Sequence, residues 1–546
     1  MPASTPYFRA ETLLIAFVAI VGLLHPFQYW TVFSGDAEIH LIYANNLLRG
    51  HPLQFNLNEA NSGETSMGFM LVDALIMWLV GPAATPVAVK ALCLASLYLS
   101  AFATWLVAGQ LGVKRPWREL GALFTLWLPG SVYSALLGTE NVLFAALSLF
   151  FVYFIISAHW YDEKRAPTLT QDVVAGLIAG VLFWLRPEAA PLALILLIMR
   201  IVGTVWFKRP IVRDLVQLIA FGLVFVVAIL AYVGIFWRYA GEMPYGAGQA
   251  RRLLSMYSDS FWIGKIPVNG KVLIRILSYF SIVVPALAAV ALALTSHSRD
   301  REVRLKTLTL AAVFFAFMGA YVFNVLPAVH FARYSVFVWP YGLILAALGL
   351  QTAVQSPWLK PQVATGLIAV LGVAFLGNIS LETFLRADMG RNAAGAESTL
   401  VQVEKAPERR EAASLKLAEA LGLPPTAPAT LGYQEVQTRY EYADNFAIRS
   451  LDGITDSRLL RYFCNGWIDH DGYLIDTKVD YLMEFPNYNS DRSAWSLKQL
   501  ASLGVGQSVV RPGITYIKIR PDIVKIERTT DNAANRPGGI CAAEAK

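Results

Sequence analysis

The chain has 546 residues, of which 56% are hydrophobic and only 15% charged, and its mean hydropathy is +0.48. A soluble domain carries roughly 25% charged residues, so the composition excludes an ordinary soluble enzyme. The net charge of +6 comes without a basic run interleaved with aromatics, which argues against nucleic acid as a partner and fits the basic cytoplasmic loops of a membrane protein.

Apolar runs long enough to cross a bilayer recur from residue 11 to residue 380. The expected spans are 11–33, 87–110, 120–136, 141–158, 172–185, 189–206, 215–237, 276–295, 307–325, 334–353 and 362–380. The first is too long for the apolar core of a signal peptide and ends in no small-residue cleavage site, so it reads as an uncleaved anchor. Met67 to Val80 is apolar but about 14 residues long, against the ~20 a span needs, and it carries Asp73. Keeping it on the membrane surface, as a re-entrant or interfacial helix, puts the basic loops at Lys114-Arg115, Lys164-Arg165, Lys208-Arg209 and Arg299 to Lys306 all on the cytoplasmic side. The expected fold is therefore a polytopic α-helical membrane protein of about eleven spans, residues 1–380, followed by a small extracytoplasmic α/β domain, residues 381–546.

In this topology the outward stretches are 34–86, 137–140, 186–188, 238–275 and 326–333. Within the first of them, Ser34 or Asp36 can cap a helix running to about Arg49, stopped by Gly50 and Pro52. Ile39, Ile42, Tyr43, Asn46 and Leu47 recur at helical spacing and predict a helix lying along an interface. The Asn-, Ser- and Gly-rich stretch from Gln54 to Ser66 predicts ordered turns. After residue 381 the chain reads as a helix over 404–420, a Pro-rich turn at 421–428, and strands at 429–436, 446–450, 480–485 and 515–519. Cys464 and Cys541 both lie in this polar third, and an extracytoplasmic location would allow a disulfide between them. Cys93 lies in an apolar run and reads as packing.

The leading chemical groups are Asp36 and Glu38, with His40, at the exit from the first span. Transfer of a group to a hydroxyl needs a base, and a carboxylate can serve. Two carboxylates at i and i+2 can instead share a divalent cation such as Mg, Mn or Ca, or simply decorate a solvated helix start. Arg186 and Glu188 flank a proline between two apolar runs and read as either an ion pair or a site, as does Glu140 in a short outer turn. Arg251, Arg252, His330 and Arg333 sit at outer turns, where an arginine can hold a phosphate or anchor to lipid. Under one topology Asp36, Glu38, Glu64, Glu140, Arg186, Glu188, Arg251, Arg252 and Arg333 reach the same membrane face. A transporter or flippase of lipid-linked sugars, the rival reading, would place its charges mid-span.

The stretch from Ser34 to Asn56 resembles the first outer-loop motif of the GT-C superfamily of integral-membrane glycosyltransferases, and within it the branch of terminal arabinofuranosyltransferases. That branch shows paired acids, a helix of the form YA-N-L, then G-x-x-x-x-FN. Gly63-Glu64-Thr65, Gly138-Thr-Glu140, Leu185-Arg-Pro-Glu188, Leu431-Gly-Tyr433 and Leu451 to Asp456 are similar to its further signatures. The usual adjacent acidic pair reads Gly35-Asp36 here, with Glu38 two residues on. The resemblance implies a polyprenyl-phosphate-linked sugar donor, a cell-envelope glycan or glycolipid acceptor, and inversion without a covalent enzyme intermediate. It implies Asp36 as base or metal ligand, with Glu38 assisting; residue type and outward placement put His40, Glu64, Thr65, Glu140, Arg186, Glu188, Arg251, Arg252, His330 and Arg333 around the substrates. It also implies an active site on the periplasmic side of a bacterial inner membrane.

Overall fold

The computed structural model describes residues 6–241, 243–244, 261–263, 266–295, 300–323, 328–356, 360–392, 398–433, 445–450, 458, 463–464, 467–468, 473, 477–484, 507–511 and 514–518. The chain forms two compact units, each discontinuous in sequence. One comprises residues 1–32, 88–232 and 259–395, and the other residues 33–87, 233–258 and 396–546.

The protein is mostly helical and multi-pass. Among the described residues, Thr85–Gln110, Ala189–Trp206, Ile211–Ala240 and Arg301–Phe323 are long and apolar enough to cross a bilayer. Gly270–Ser278 and Phe280–Thr295 form a fifth candidate, bent by 79° between the two helices. The expected span 362–380 lies within one continuous helix, Pro361–Asn392, while several of the other expected spans are shorter or broken among the described residues. The first runs as a helix over Pro6–Leu24 and tightens into a 3-10 turn at His25–Tyr29, where Pro26 cannot donate to an α-helical ladder. The run expected at 120–136 is divided into Trp117–Leu123, a 3-10 turn at Phe124–Leu126 and Pro129–Ala135. Pro129 biases Leu128 toward extended backbone, the conformation it adopts, and so separates the two helices. Asn141–Ser157 and Leu169–Leu185 are 17 residues each, roughly 25 Å of helix against a ~30 Å hydrocarbon core. Met67–Val80 is a 14-residue helix, short of a span as expected.

Close helix contacts in the first unit use small residues. A Cβ at Gly176 would lie 2.6 Å from the Phe221 carbonyl oxygen, and one at Gly180 would lie 2.5 Å from the Ala228 Cβ. This i, i+4 pair lets Leu169–Leu185 press against Ile211–Ala240. A buried ion-pair knot ties the same helices at one end. Arg200, fully buried, donates to Asp172 at 2.5 Å and to Gln217 at 3.0 Å, lies 3.9 Å from Asp214, and stacks over the Trp160 ring.

The C-terminal part of the second unit holds a helix, Leu400–Ala420, and a five-stranded sheet. The strand order is Gln507–Arg511, Ile514–Lys518, Tyr481–Glu484, Ala429–Tyr433 and Phe446–Ser450. The last two are parallel to each other with Leu431 opposite Ile448, and Tyr481–Glu484 is parallel to Ala429–Tyr433 and antiparallel to Ile514–Lys518. Four of these strands fall where alternation in the sequence placed them. Gln507–Arg511 went unread because only Val509 and Val510 are apolar within it. Tyr473 is fully buried and serves the core.

Removing one partner of a buried ion pair strands the other charge, so Arg200→Met should destabilise the protein by about 3–5 kcal/mol. Adding Asp172→Asn to that variant should recover part of the loss, with unfolding in detergent as the measurement.

Candidate functional site

The first outer loop builds its helix as its capping residues require. Ser34 is the N-cap, its Oγ accepting the Asp36 N–H at 3.2 Å, and the helix runs Gly35–Leu48. Gly50 ends the turn with φ +85°, a left-handed backbone that glycine adopts without cost. The expected interfacial helix is not what forms. From Phe33 to Ala44 every residue is buried except Asp36. The apolar positions read as one face are part of an almost wholly enclosed helix, because polar partners from the same loop satisfy its remaining side.

Those partners are specific. His40 Nδ1 lies 3.0 Å from Glu64 Oε2, and Glu64 Oε1 accepts the Ser66 N–H at 2.7 Å. Glu64 is fully buried with both oxygens engaged. With Nδ1–H donating to that carboxylate, a neutral imidazole carries its lone pair on Nε2. The Tyr43 hydroxyl donates to Asn61 Oδ1. Asn46 Nδ2 donates to the carbonyls of Gln54 at 2.9 Å and Phe55 at 3.2 Å. Thr65 is half-buried beside Glu64.

Helical geometry separates Asp36 from Glu38. Residues two apart lie on opposite sides of a helix, whereas residues four apart share a side. The partly exposed Asp36 therefore shares its side with His40 and not with the buried Glu38. A cation shared between the Asp36 and Glu38 carboxylates does not fit this helix, and among the described residues no three His, Cys, Asp or Glu side chains gather as a metal site.

The second cluster belongs to the first unit. Pro187 holds Arg186 in extended backbone (φ −155°, ψ 136°) and ends the helix at Leu185. That turns the Arg186 side chain onto Glu140 at 2.8 Å, Glu188 at 2.5 Å and the Asn141 side-chain carbonyl. Its guanidinium also lies 5.1 Å from the Tyr334 ring, and Arg333 lies 5.8 Å from the same ring. Burial works against the Arg186 charge, but Glu188 and Glu140 outweigh it and hold the pKa well above the ordinary arginine value. Arg186 is thus held by carboxylates of its own chain through its two terminal nitrogens. Gly138, at φ +83°, makes the turn that presents Thr139 and Glu140.

Lys90 was not singled out from the sequence, although a lysine in an apolar run is a signal of need. It is fully buried, and its ammonium donates to the carbonyls of Tyr29 at 3.2 Å, Val32 at 2.7 Å and Leu136. Three donors meet three acceptors, tying the end of the first helix to the residues before Gly138. Cys93 supports the same turn, its thiol 3.6 Å from the Thr139 carbonyl oxygen. Asn141 was likewise missed; only its contact with Arg186 marks it. Arg251, Arg252 and Cys541 lie outside the described residues, as do the side chains of His330 and Cys464.

No protein-family model matches the chain, and no curated protein sequence matches it. Solved structures do. ArnT from Cupriavidus metallidurans bound to undecaprenyl phosphate superposes with a TM-score of 0.51 at 13% identity, over 93% of this chain and 97% of that one. The archaeal oligosaccharyltransferase AglB from Archaeoglobus fulgidus, in complex with an inhibitory peptide and a dolichol-phosphate, gives 0.53 at 10% identity, over 94% and 75%. The chain shares the fold of these two structures. Apo ArnT gives 0.50 at 14% identity, over 95% of this chain and 99% of that one, so the likeness in fold runs through nearly the whole length of both proteins.

Lys90→Met keeps the apolar stem and removes the donors. It should cost about 1–3 kcal/mol by leaving buried carbonyls unsatisfied, read as a lowered unfolding midpoint in detergent; an unchanged midpoint would show that the ammonium does not tie these segments.

Proposed function

We propose that the protein is a membrane glycosyltransferase that moves a sugar from a polyprenyl-phosphate donor to a hydroxyl of a cell-envelope glycan or glycolipid, at the outer face of a cytoplasmic membrane. The observation that carries this reading is Asp36. On a GT-C fold, within the otherwise buried stretch from Phe33 to Ala44, it is the one carboxylate of the first-loop motif left partly exposed. A base that receives a substrate proton must be reachable and held still. Asp36 is reachable, and Ser34, Glu64 and Asn46 fix the helix that bears it.

In this reading the acceptor hydroxyl gives its proton to an Asp36 oxygen as it attacks the anomeric carbon from the side opposite the phosphate. The carbon–oxygen bond to phosphate breaks, polyprenyl phosphate leaves with the electron pair, and the anomeric configuration inverts. Charge grows on the departing phosphate, and cations near it lower the barrier. Arg186, Arg251, Arg252 and Arg333 are the residues proposed for that task. The buried Glu38 supports the helix, and no step runs through a metal.

Asp36→Asn preserves shape and removes the base. Turnover of lipid-linked donor should fall by roughly a thousandfold with the unfolding midpoint unchanged. Near-normal turnover would overturn the assignment.

A further inference from the structure

The hairpin Gln54–Asn56 and Glu59–Ala60 of the first outer loop meets the C-terminal sheet through a contact 392 residues apart in sequence. Asn56 Nδ2 donates to the Ile448 carbonyl at 2.7 Å, and Asn56 Oδ1 accepts the Ile448 N–H at 2.9 Å. Phe446–Ser450 is an edge strand of the sheet, and an edge strand presents unpaired backbone groups. The side-chain amide of Asn56 carries one donor and one acceptor in the manner of a peptide unit, so it continues the ladder by one rung. Both residues are buried. One residue on, Arg449 makes a two-pronged pair with Glu59, and Arg458 reaches the same carboxylate at 3.4 Å. Arg449 is almost fully buried, so its charge depends on Glu59.

The other side of the hairpin holds the Asp36 helix. Gln54 and Phe55 offer their carbonyls to Asn46, the Asn61 N–H donates to Leu53 at 3.0 Å, and Asn61 accepts the Tyr43 hydroxyl. A continuous polar chain therefore runs from Ile448 and Arg449, through Asn56 and Glu59, to Asn46 and Tyr43 on Gly35–Leu48.

We propose that Asn56 and Glu59 are positioning residues, which fasten the first-loop hairpin to the edge of the C-terminal sheet and so set the placement of Asp36. The catalytic consequence rests on the reading of Asp36 as the base; the mechanical one does not. The C-terminal sheet is thereby part of the turnover machinery, in addition to any contact it makes with acceptor. An apolar contact would hold the hairpin as firmly. The directional pairing adds register, because Asn56 fits the rung at Ile448 and no neighbouring one.

The test uses the full chain in lipid, as wild type, Asn56→Asp, Glu59→Gln, and Glu59→Gln combined with Arg449→Gln. Asn56→Asp keeps acceptance from the Ile448 N–H and sets a carboxylate against the Ile448 carbonyl. Glu59→Gln strands the Arg449 charge, and the double variant removes that charge as well. Hydrogen exchange of the 35–48 amides is read beside kcat and KM for transfer. Both single variants should speed exchange within 35–48 and lower kcat roughly tenfold, with KM for the lipid donor within about twofold, and the double variant, which lacks the tie but strands no charge, should keep the faster exchange and the lower kcat. Unchanged 35–48 exchange in the two single variants would overturn the proposal, as would a double variant restored to wild-type exchange. If wild type turns over no donor, that failure falls on the glycosyltransferase reading, and the exchange result still decides whether the hairpin holds the helix.

Discussion

A charged side chain carried into the apolar part of this chain has no water to satisfy it, and the local structure is arranged around giving each one a partner. Arg200 takes Asp172 and Gln217, Lys90 takes three main-chain carbonyls, and Arg186 takes Glu140 and Glu188. None of these pairings is local in sequence except that of Arg186 with Glu188. Each fixes segments that packing of leucines and valines alone would leave free to slide, because apolar contact is non-directional whereas an ammonium with three carbonyls has one geometry. Asp36 stands apart from this pattern in its partial exposure.

How much of this could be read from the sequence depended on how local the cause was. Ser34 as N-cap, Gly50 as stop and the alternating strands are dictated within a few residues, and the structure places them where those residues say. The breaks at Pro26 and Pro129 were equally local but were masked by the apolar runs around them, where hydropathy outweighed the missing donor. The bend between Ser278 and Phe280 leaves no comparable mark in the sequence. The burial of the Gly35–Leu48 helix was illegible for a different reason. Its partners Glu64, Asn61 and Gln54 lie beyond its end at Leu48, in a stretch whose composition signals only turns.

The candidate site was legible as an inventory and not as an arrangement. Residue types singled out Asp36, Glu140, Arg186 and Glu188. Only geometry shows that Arg186 pairs with Glu140 and Glu188, that Asp36 and Glu38 face apart, and that His40 is oriented by Glu64. Lys90 and Asn141 needed the fold, since their partners are carbonyls and an arginine brought from elsewhere in the chain. The same holds for Asn56, whose partner Ile448 is an ordinary apolar strand residue.

The measurement that bears most directly on the central claim is mass spectrometry of acceptor products formed by purified protein in lipid. The protein would be offered polyprenyl-phosphate arabinose and a panel of polyprenyl-phosphate hexoses, with cell-envelope glycans and glycolipids as acceptors. The account predicts that one donor yields an acceptor heavier by a single sugar residue, with release of polyprenyl phosphate in equal amount and inverted anomeric configuration at the new bond. Lipid-linked sugar that crosses the bilayer intact, with no donor cleaved in the presence of any acceptor, would contradict it.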